Sequence, residues 1–142
     1  MIRTIAIDDE PLALQQLANY IENTPFLQLV GKCQSAVEAK EIMEKEEVDA
    51  IFCDIIMPDI NGMDFIKSLP VTPIVVFTTA SSEYAIDGFK VDAADYLLKP
   101  FGMDEFRRAA SRVKQRYEMA VIPKAKITDE DDTVFIKTGT VA

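Results

Sequence analysis

The sequence predicts an α/β domain built on a doubly wound, five-stranded parallel sheet. Five short apolar runs alternate with stretches of helical periodicity, which is typical of successive strand–helix units. The runs are apolar at nearly every position, as expected for strands that helices cover on both faces. Acidic residues and a lysine follow several of these runs, at the sheet edge where open α/β folds bind their ligands.

The five apolar runs are interpreted as strands. Each is four to seven residues long and is followed by polar or turn-forming residues, so none is long enough to cross a membrane. Consecutive parallel strands require a crossover, and the intervals between the runs are long enough for a helix. The runs cover residues 2–7, 27–33, 50–53, 73–78 and 95–98.

The intervals between the strands show the spacing of apolar residues that is typical of amphipathic helices. Ser35, followed three residues later by Glu38, predicts a capping box at the start of the second helix. The third and fourth helices are predicted over residues 62–69 and 82–91, and the fifth begins near residue 103. The apolar faces of the first, second and fifth helices are Leu14, Leu17, Ala18 and Ile21; Ala36, Ala39, Ile42 and Met43; and Phe106, Ala110, Val113 and Tyr117.

Composition restricts the function. The 142 residues suffice for one domain with a core, and the net charge of −9 argues against direct binding to nucleic acid, which requires clustered Lys and Arg. The chain has no histidine, so it contains no histidine catalyst, metal ligand or phosphohistidine. Cys33 and Cys53 each end an apolar run and are interpreted as buried. Early charged residues argue against a signal peptide, so we expect a cytoplasmic protein without membrane contact.

The tail differs from the rest of the chain. Pro123 and the acidic cluster at 129–132 predict a linker, and residues 133–140 have strand character. We therefore expect one domain over residues 1–120, with a linker and the beginning of a further element over residues 121–142.

Three carboxylates and one lysine are expected to share a crevice. Asp8 and Asp9 follow the first strand, Asp54 ends the third, and Lys99 follows the fifth, before Pro100. An aspartate can accept a phosphoryl group, but a divalent cation must offset the charge of the two anions. Carboxylate oxygens suit Mg²⁺, or Mn²⁺. The set predicts metal-assisted phosphoryl transfer onto Asp54.

A threonine is expected to assist. Because strand side chains alternate, only one of Thr78 and Thr79 can easily face the crevice. Thr79 is the preferred candidate for donating to a phosphoryl oxygen, although a turn or helix-cap role is an equal alternative. Lys99 suits pairing with a phosphoryl oxygen as a point charge, and Pro100 permits a cis bond that would aim it.

Three other classes of protein share part of this pattern. A phosphatase of the haloacid dehalogenase type requires an Asp-x-Asp pair, whereas Asp54 is followed by two isoleucines. A flavodoxin-like cofactor binder requires a phosphate-cradling loop after the first strand, where this chain has Asp-Asp-Glu-Pro. A protein-interaction module that is never phosphorylated stays open as the alternative function.

The chain resembles the receiver domain of two-component response regulators over about residues 1–120. The resemblance implies a (βα)5 flavodoxin-like receiver fold with strand order 2-1-3-4-5. It also implies a signalling domain that is no enzyme beyond catalysing its own Mg²⁺-dependent phosphorylation and dephosphorylation. The matching motifs are Asp8-Asp9-Glu10-Pro11, Asp54 to Gly62 with Met57-Pro58, Thr79-Ala80, and Tyr96 to Phe101 with Lys99-Pro100.

The resemblance assigns roles to the residues of the crevice. Asp54 would be the phosphoacceptor, and the donor would be a partner sensor histidine kinase. Thr79 and Lys99 would bind the phosphoryl oxygens, and Tyr96 would be the switch aromatic that turns inward as Thr79 moves. The Mg²⁺ ligands would be Asp8, Asp9, Asp54 and the backbone carbonyl of Ile56.

Residues 77–101 further resemble receivers coupled to a LytTR-type (LytR/AlgR-like) DNA-binding domain. That likeness implies that residues 121–142 hold a linker and the start of such a domain, cut short, and that DNA is contacted only through the missing part. Phosphorylation would favour a homodimer through the fourth helix, fifth strand and fifth helix. Apolar candidates for that surface are Ile86, Phe89 and Val91.

Overall fold

Five parallel strands form one sheet in the order β2-β1-β3-β4-β5, as predicted. The structure, a computed structural model, describes residues 1–81 and 92–128. The strands are β1 (Ile2–Ile7), β2 (Leu27–Cys33), β3 (Ala50–Asp54), β4 (Ile74–Thr79) and β5 (Asp95–Leu98). The helices are α1 (Pro11–Glu22), α2 (Ala36–Lys45), α3 (Gly62–Lys67) and α4 (Met103–Thr128), the last being the fifth helix of the sequence prediction.

Two parts of the sequence prediction lie outside the described residues. The first is the helix expected over residues 82–91, with the apolar candidates Ile86, Phe89 and Val91. The second is the strand expected over residues 133–140. The helix α4 continues to Thr128, eight residues past the boundary predicted at residue 120.

Two apolar layers cover the sheet, because alternate strand residues point to opposite faces. One layer packs against α1 and α4, and the other packs against α2 and α3. The first layer contains Leu14, Leu17 and Ile21 from the predicted face of α1, and Phe106, Ala110 and Val113, with Tyr117 packed against them, from that of α4. Strand residues in the first layer include Ala6, Phe52, Val76 and Leu97, and those in the second include Ile7, Cys53 and Phe77. This alternation decides where the side chains at each strand end point.

The start of α2 differs in one detail from the predicted capping box. Ser35 Oγ accepts the N–H of Glu38 at 3.2 Å, as the motif requires. The Glu38 carboxylate, however, accepts the N–H of Gln34 at 2.9 Å rather than that of Ser35. The reciprocal bond of the box therefore forms one residue earlier in the chain.

Both cysteines are buried and free, as predicted. Burial, followed by the charge of Glu38, raises the pKa of the Cys33 thiol to about 12. Burial also raises the pKa of Cys53, with the carboxylate of Asp54 adding to the effect. The thiols therefore stay protonated and inert at neutral pH.

A row of arginines on α4 forms ion pairs with aspartates in β5 and just before it. The carboxylate of Asp95, which is buried, accepts bonds from Arg108 Nε and Arg112 Nη1, each at 2.9 Å. Arg116 Nη1 lies 3.1 Å from the carboxylate of Asp92. The sequence prediction missed this row, although the four-residue spacing of the arginines places them on one face of a helix. Across the described residues, no helix is both long and apolar enough to cross a membrane.

Candidate functional site

Three carboxylates meet at the carboxyl end of the sheet. Asp8 and Asp9 directly follow β1, and Asp54 is the last residue of the neighbouring strand β3. One oxygen from each carboxylate lies within 4.8 Å of the other two. Asp8 and Asp54 are 1% and 6% exposed, whereas Asp9 faces solvent. The structure thus brings the three predicted acids together.

Lys99 reaches this cluster from the end of β5. Its Nζ donates to Asp8 Oδ2 at 2.7 Å and to Asp54 Oδ2 at 3.4 Å. Its backbone N–H donates to the carbonyl of Thr79 at 2.7 Å, which holds the residue at the strand edge. The peptide bond between Lys99 and Pro100 is cis.

The charges in the crevice do not balance. Burial raises the pKa of Asp54 to about 6; the charge of Lys99 opposes this rise, and that of Asp8 adds to it. Burial lowers the pKa of Lys99, but its hydrogen bond to Asp8 and the two carboxylate charges outweigh burial, so its pKa is raised. Three carboxylates beside one ammonium leave two negative charges when all four groups are ionised. The donor set therefore fits one divalent cation bound through oxygen.

The loop after Asp54 is held close to the site. The N–H of Ile56 donates to Asp54 Oδ1 at 3.3 Å, and Ile56 lines the crevice. The N–H of Gly62 donates to the carbonyl of Ile55 at 2.6 Å. A Cβ on Gly62 would lie 2.3 Å from the carbonyl oxygen of Asp54, so a side chain is excluded there. Asp59, whose role was not predicted, accepts the N–H of Val37 at 3.3 Å and links the loop to α2.

Thr78 and Thr79 face opposite sides of the sheet. Thr79 follows Phe77 in the alternation and therefore lies on the α2/α3 side, where its Oγ1 accepts the N–H of Ser81 at 3.1 Å. Tyr96 is on the same side, and its ring stacks on Phe77 with centroids 5.5 Å apart. Burial, followed by the charge of Asp92, raises the pKa of the Tyr96 hydroxyl.

Thr78 lies on the side of the crevice, in register with Asp54 across β3 and β4. Its hydroxyl is buried and has no hydrogen-bond partner among the described residues. The alternation rule used on the sequence says that one threonine faces the crevice, but it does not say which one. In the ladder between β3 and β4, Thr78 is the residue paired with Asp54, and the role of Thr79 stays a prediction.

Two neighbouring cavities open at this end of the molecule. One, of about 490 Å³, lies over the carboxylates and is lined by Asp8, Asp9, Asp54 and Ile56, among others. The second, of about 500 Å³, lies between α1 and the loop after β5, and Thr78 lines it. Asp8 and Lys99 line both cavities, whereas neither Thr79 nor Tyr96 lines either of them.

Known proteins share this sequence pattern. The Transcriptional regulatory protein BtsR of Escherichia coli strain K12 is 35% identical over 129 residues, which are 87% of this chain and 54% of the relative. The Sensory transduction protein LytT of Bacillus anthracis is 32% identical over 136 residues, or 94% of this chain and 55% of the relative. The chain thus spans about half the length of the curated relatives it matches.

Solved structures share the fold. The response regulatory domain of protein mrkE from Klebsiella pneumoniae superposes with a TM-score of 0.74 at 29% identity, over 83% of this chain and 99% of that domain. The REC domain of AraT from Geobacillus stearothermophilus superposes with a TM-score of 0.74 at 25% identity, over 84% of this chain and 97% of that domain. The response regulator receiver domain profile matches residues 4–111. The chain therefore belongs to the response regulator receiver domain family, with BtsR and LytT as LytTR-type relatives.

Proposed function

We propose that this chain is a phosphorylation-dependent switch that accepts a phosphoryl group on Asp54 from a partner sensor histidine kinase. One observation carries the proposal. The Asp54 carboxylate is buried at a strand end, within reach of Lys99 and of two further carboxylates. A structural carboxylate has no need for such neighbours, whereas phosphoryl transfer onto an aspartate requires positive charge around the acceptor.

The transfer is a single displacement at phosphorus. An oxygen of the Asp54 carboxylate attacks, and the P–N bond to the protonated donor histidine breaks. The bonding electrons return to the ring nitrogen, and the donor leaves as neutral imidazole. The product is an acyl phosphate on Asp54. The donor histidine must belong to the partner, because this chain has none.

The residues of the crevice hold the reacting groups. Asp8, Asp9, Asp54 and the carbonyl of Ile56 would bind Mg²⁺ or Mn²⁺, which when bound offsets the charge on the carboxylates and the phosphoryl oxygens. Lys99 supplies a second positive charge from the side of β5, where its ammonium pairs with a phosphoryl oxygen. Water reaching the acyl phosphate later reverses the modification, and the chain catalyses no other reaction.

The structural response to phosphorylation involves residues on the face of the sheet opposite the crevice. To bind a phosphoryl oxygen, the Thr79 hydroxyl would move from the α2/α3 side, where it accepts from Ser81, to the carboxyl edge of the sheet, and Tyr96 would follow it inward. The stacking of Tyr96 on Phe77 supports this coupling, because Phe77 lies two residues before Thr79 on the same face. The altered surface at β5 and α4 then pairs two receivers as a symmetric homodimer. The further helix predicted for this surface lies outside the described residues.

The output domain follows the receiver domain in the chain. Residues 1–120 form the switch, and residues 121–142 hold a linker and the start of the LytTR-type DNA-binding domain of a cytoplasmic transcription regulator. The name of BtsR, a transcriptional regulatory protein, supports this arrangement. The acidic receiver leaves DNA contact to that second domain.

Incubation with Mg²⁺ and acetyl phosphate tests the central claim by intact mass. The unaltered chain should gain one phosphoryl group, and Asp54→Asn should gain none. Asp64→Asn, which removes an exposed acid from the first turn of α3, is the matched control and should behave as the unaltered chain. Prior addition of EDTA should abolish the gain. No gain in any chain would favour a phosphorylation-independent interaction module, and a gain in Asp54→Asn would mean that another residue is the acceptor.

A further inference from the structure

The hydroxyl of Thr78 is in an unusual position for a structural group. The residue is 1% exposed, and its Oγ1 has no hydrogen-bond partner in the part of the chain that the structure describes. Burying a hydroxyl without a partner is unfavourable, because the lost hydration is not replaced. Valine has nearly the same shape and would fill the site without this cost. The hydroxyl therefore indicates a role that structure alone does not explain.

The position of Thr78 relates it to the chemistry. Thr78 is paired with Asp54 in the ladder between β3 and β4. Thr78 and Lys99 follow Val76 and Leu97 by two residues, and those two side chains lie in the same apolar layer. Thr78 also lines the cavity that Asp8 and Lys99 line. The hydroxyl and the ammonium thus share one wall of the site.

Within residues 1–81 and 92–128, the ammonium of Lys99 has one donor without a partner. It carries three N–H groups, and its contacts with Asp8 and Asp54 account for two of them. Its shorter contact, at 2.7 Å, is with Asp8 rather than with the predicted acceptor. A phosphoryl group on Asp54 would draw the ammonium from this contact with Asp8 toward Asp54. A neutral acceptor on that wall would hold it in the new position.

We propose that Thr78 is a positioning residue for Lys99, whose ammonium donates a hydrogen bond to the Thr78 hydroxyl while it pairs with a phosphoryl group on Asp54. The proposal rests on the proposed function and adds a residue to it. Thr79 does not fill this role, since its hydroxyl lies on the opposite face and accepts from Ser81. Serine would retain the acceptor, and valine would remove it.

The test compares Thr78→Val and Thr78→Ser with the unaltered chain. With Mg²⁺ and acetyl phosphate, the rate of phosphorylation of Thr78→Val should fall about tenfold, as expected for one hydrogen bond to a charged group. Thr78→Ser should retain the rate within about twofold. Without Mg²⁺ and donor, Thr78→Val should unfold at the same or a higher denaturant concentration, because no bond is lost.

Thr4→Val is the matched control. Thr4 is also fully buried on a strand, but its hydroxyl donates to the carbonyl of Ile2 at 3.0 Å, far from the crevice. This variant should lose stability and keep its rate. A normal rate in Thr78→Val, or an equal loss in Thr78→Ser, would overturn the proposal. If the unaltered chain gains no phosphoryl group, the proposed function itself fails, and the role of Thr78 fails with it.

Discussion

Lys99 donates to Asp8 at 2.7 Å, across 91 positions of sequence, and so joins the ends of β5 and β1. Asp8 is almost fully buried, and Lys99 is the cation that contacts it among the described residues. The pair binds together two strands that are separated in the sheet by β3 and β4. Its loss would leave a buried carboxylate without its partner.

Lys99→Met should therefore destabilise the metal-free chain by about 3 kcal/mol, because removing one member of a buried ion pair leaves the other uncompensated. Urea unfolding in EDTA measures the change. Added Mg²⁺ should restore part of the loss, since a cation at the carboxylates replaces the missing charge. Lys32→Met is the control, because the ammonium of that exposed lysine donates to Gln15 and forms no ion pair among the residues described; it should change stability by less than about 0.5 kcal/mol. Equal effects of the two variants would contradict this account.

Asp54 should make the stability of the metal-free chain depend on pH. Its pKa is raised from 3.8 to about 6, mainly by burial, so the folded state holds this proton more tightly than the unfolded state. The stabilisation is complete below a pH of about 4 and is lost as the pH rises through about 6. Asp54→Asn, which mimics the neutral form, should gain stability relative to the unaltered chain over this range. Urea unfolding in EDTA at several pH values measures the difference, which a pH-independent offset would contradict.

Asp9 should control cation affinity without affecting the fold. Its carboxylate lies with those of Asp8 and Asp54 but faces solvent, so its removal costs little packing. Asp9→Asn should weaken Mg²⁺ binding, measured by isothermal titration calorimetry, about tenfold or more, because affinity follows the number of charged ligands. Glu10→Gln removes the next acid, also exposed at the rim, and should change affinity by less than about threefold. The idea fails if both variants bind Mg²⁺ equally.

Gly62 should tolerate no side chain. A Cβ there would lie 2.3 Å from the backbone oxygen of Asp54, and backbone cannot move aside without shifting the acceptor. Gly62→Ala should lose about 2 kcal/mol or more of stability and most of its phosphorylation by acetyl phosphate. At Gly102 the nearest atom is the end of the flexible Glu105 side chain, at 3.3 Å, so Gly102→Ala should cost less than about 1 kcal/mol. Normal phosphorylation of Gly62→Ala would refute the steric argument.

The sequence predicts most of this fold because its signals are local. The apolar runs locate the strands to within a residue, and the spacing of Leu14, Leu17 and Ile21 identifies the buried face of α1. The carboxylates Asp8 and Asp54 are predictable site members, because strand ends in an open parallel sheet meet at one edge. The elements follow from residues within single segments, and the meeting of the strand ends follows from the fold class.

The parts that escaped prediction depend on pairing between elements. The bond that Asp59 accepts from the N–H of Val37 joins the loop after β3 to the start of α2, which is distant in sequence. The ion pairs of Arg108 and Arg112 with Asp95 can be predicted only if the placement of α4 along β5 is known. The orientation of Thr78 requires the strand register, because a shift of one residue reverses every side chain in a strand.

The alternation at the end of β4 has a consequence for how such a switch can be altered. Thr78 faces the crevice, and Thr79 faces Tyr96. In the proposed mechanism, the peptide unit between them therefore couples phosphorylation on one face of the sheet to the movement of Tyr96 on the other. Substitutions in the layer around Phe77 can change how the partner-binding surface responds to phosphorylation without changing the acceptor Asp54. Conversely, a single-residue insertion within β4 would exchange the two threonines and uncouple reaction from response, even if the sheet still formed.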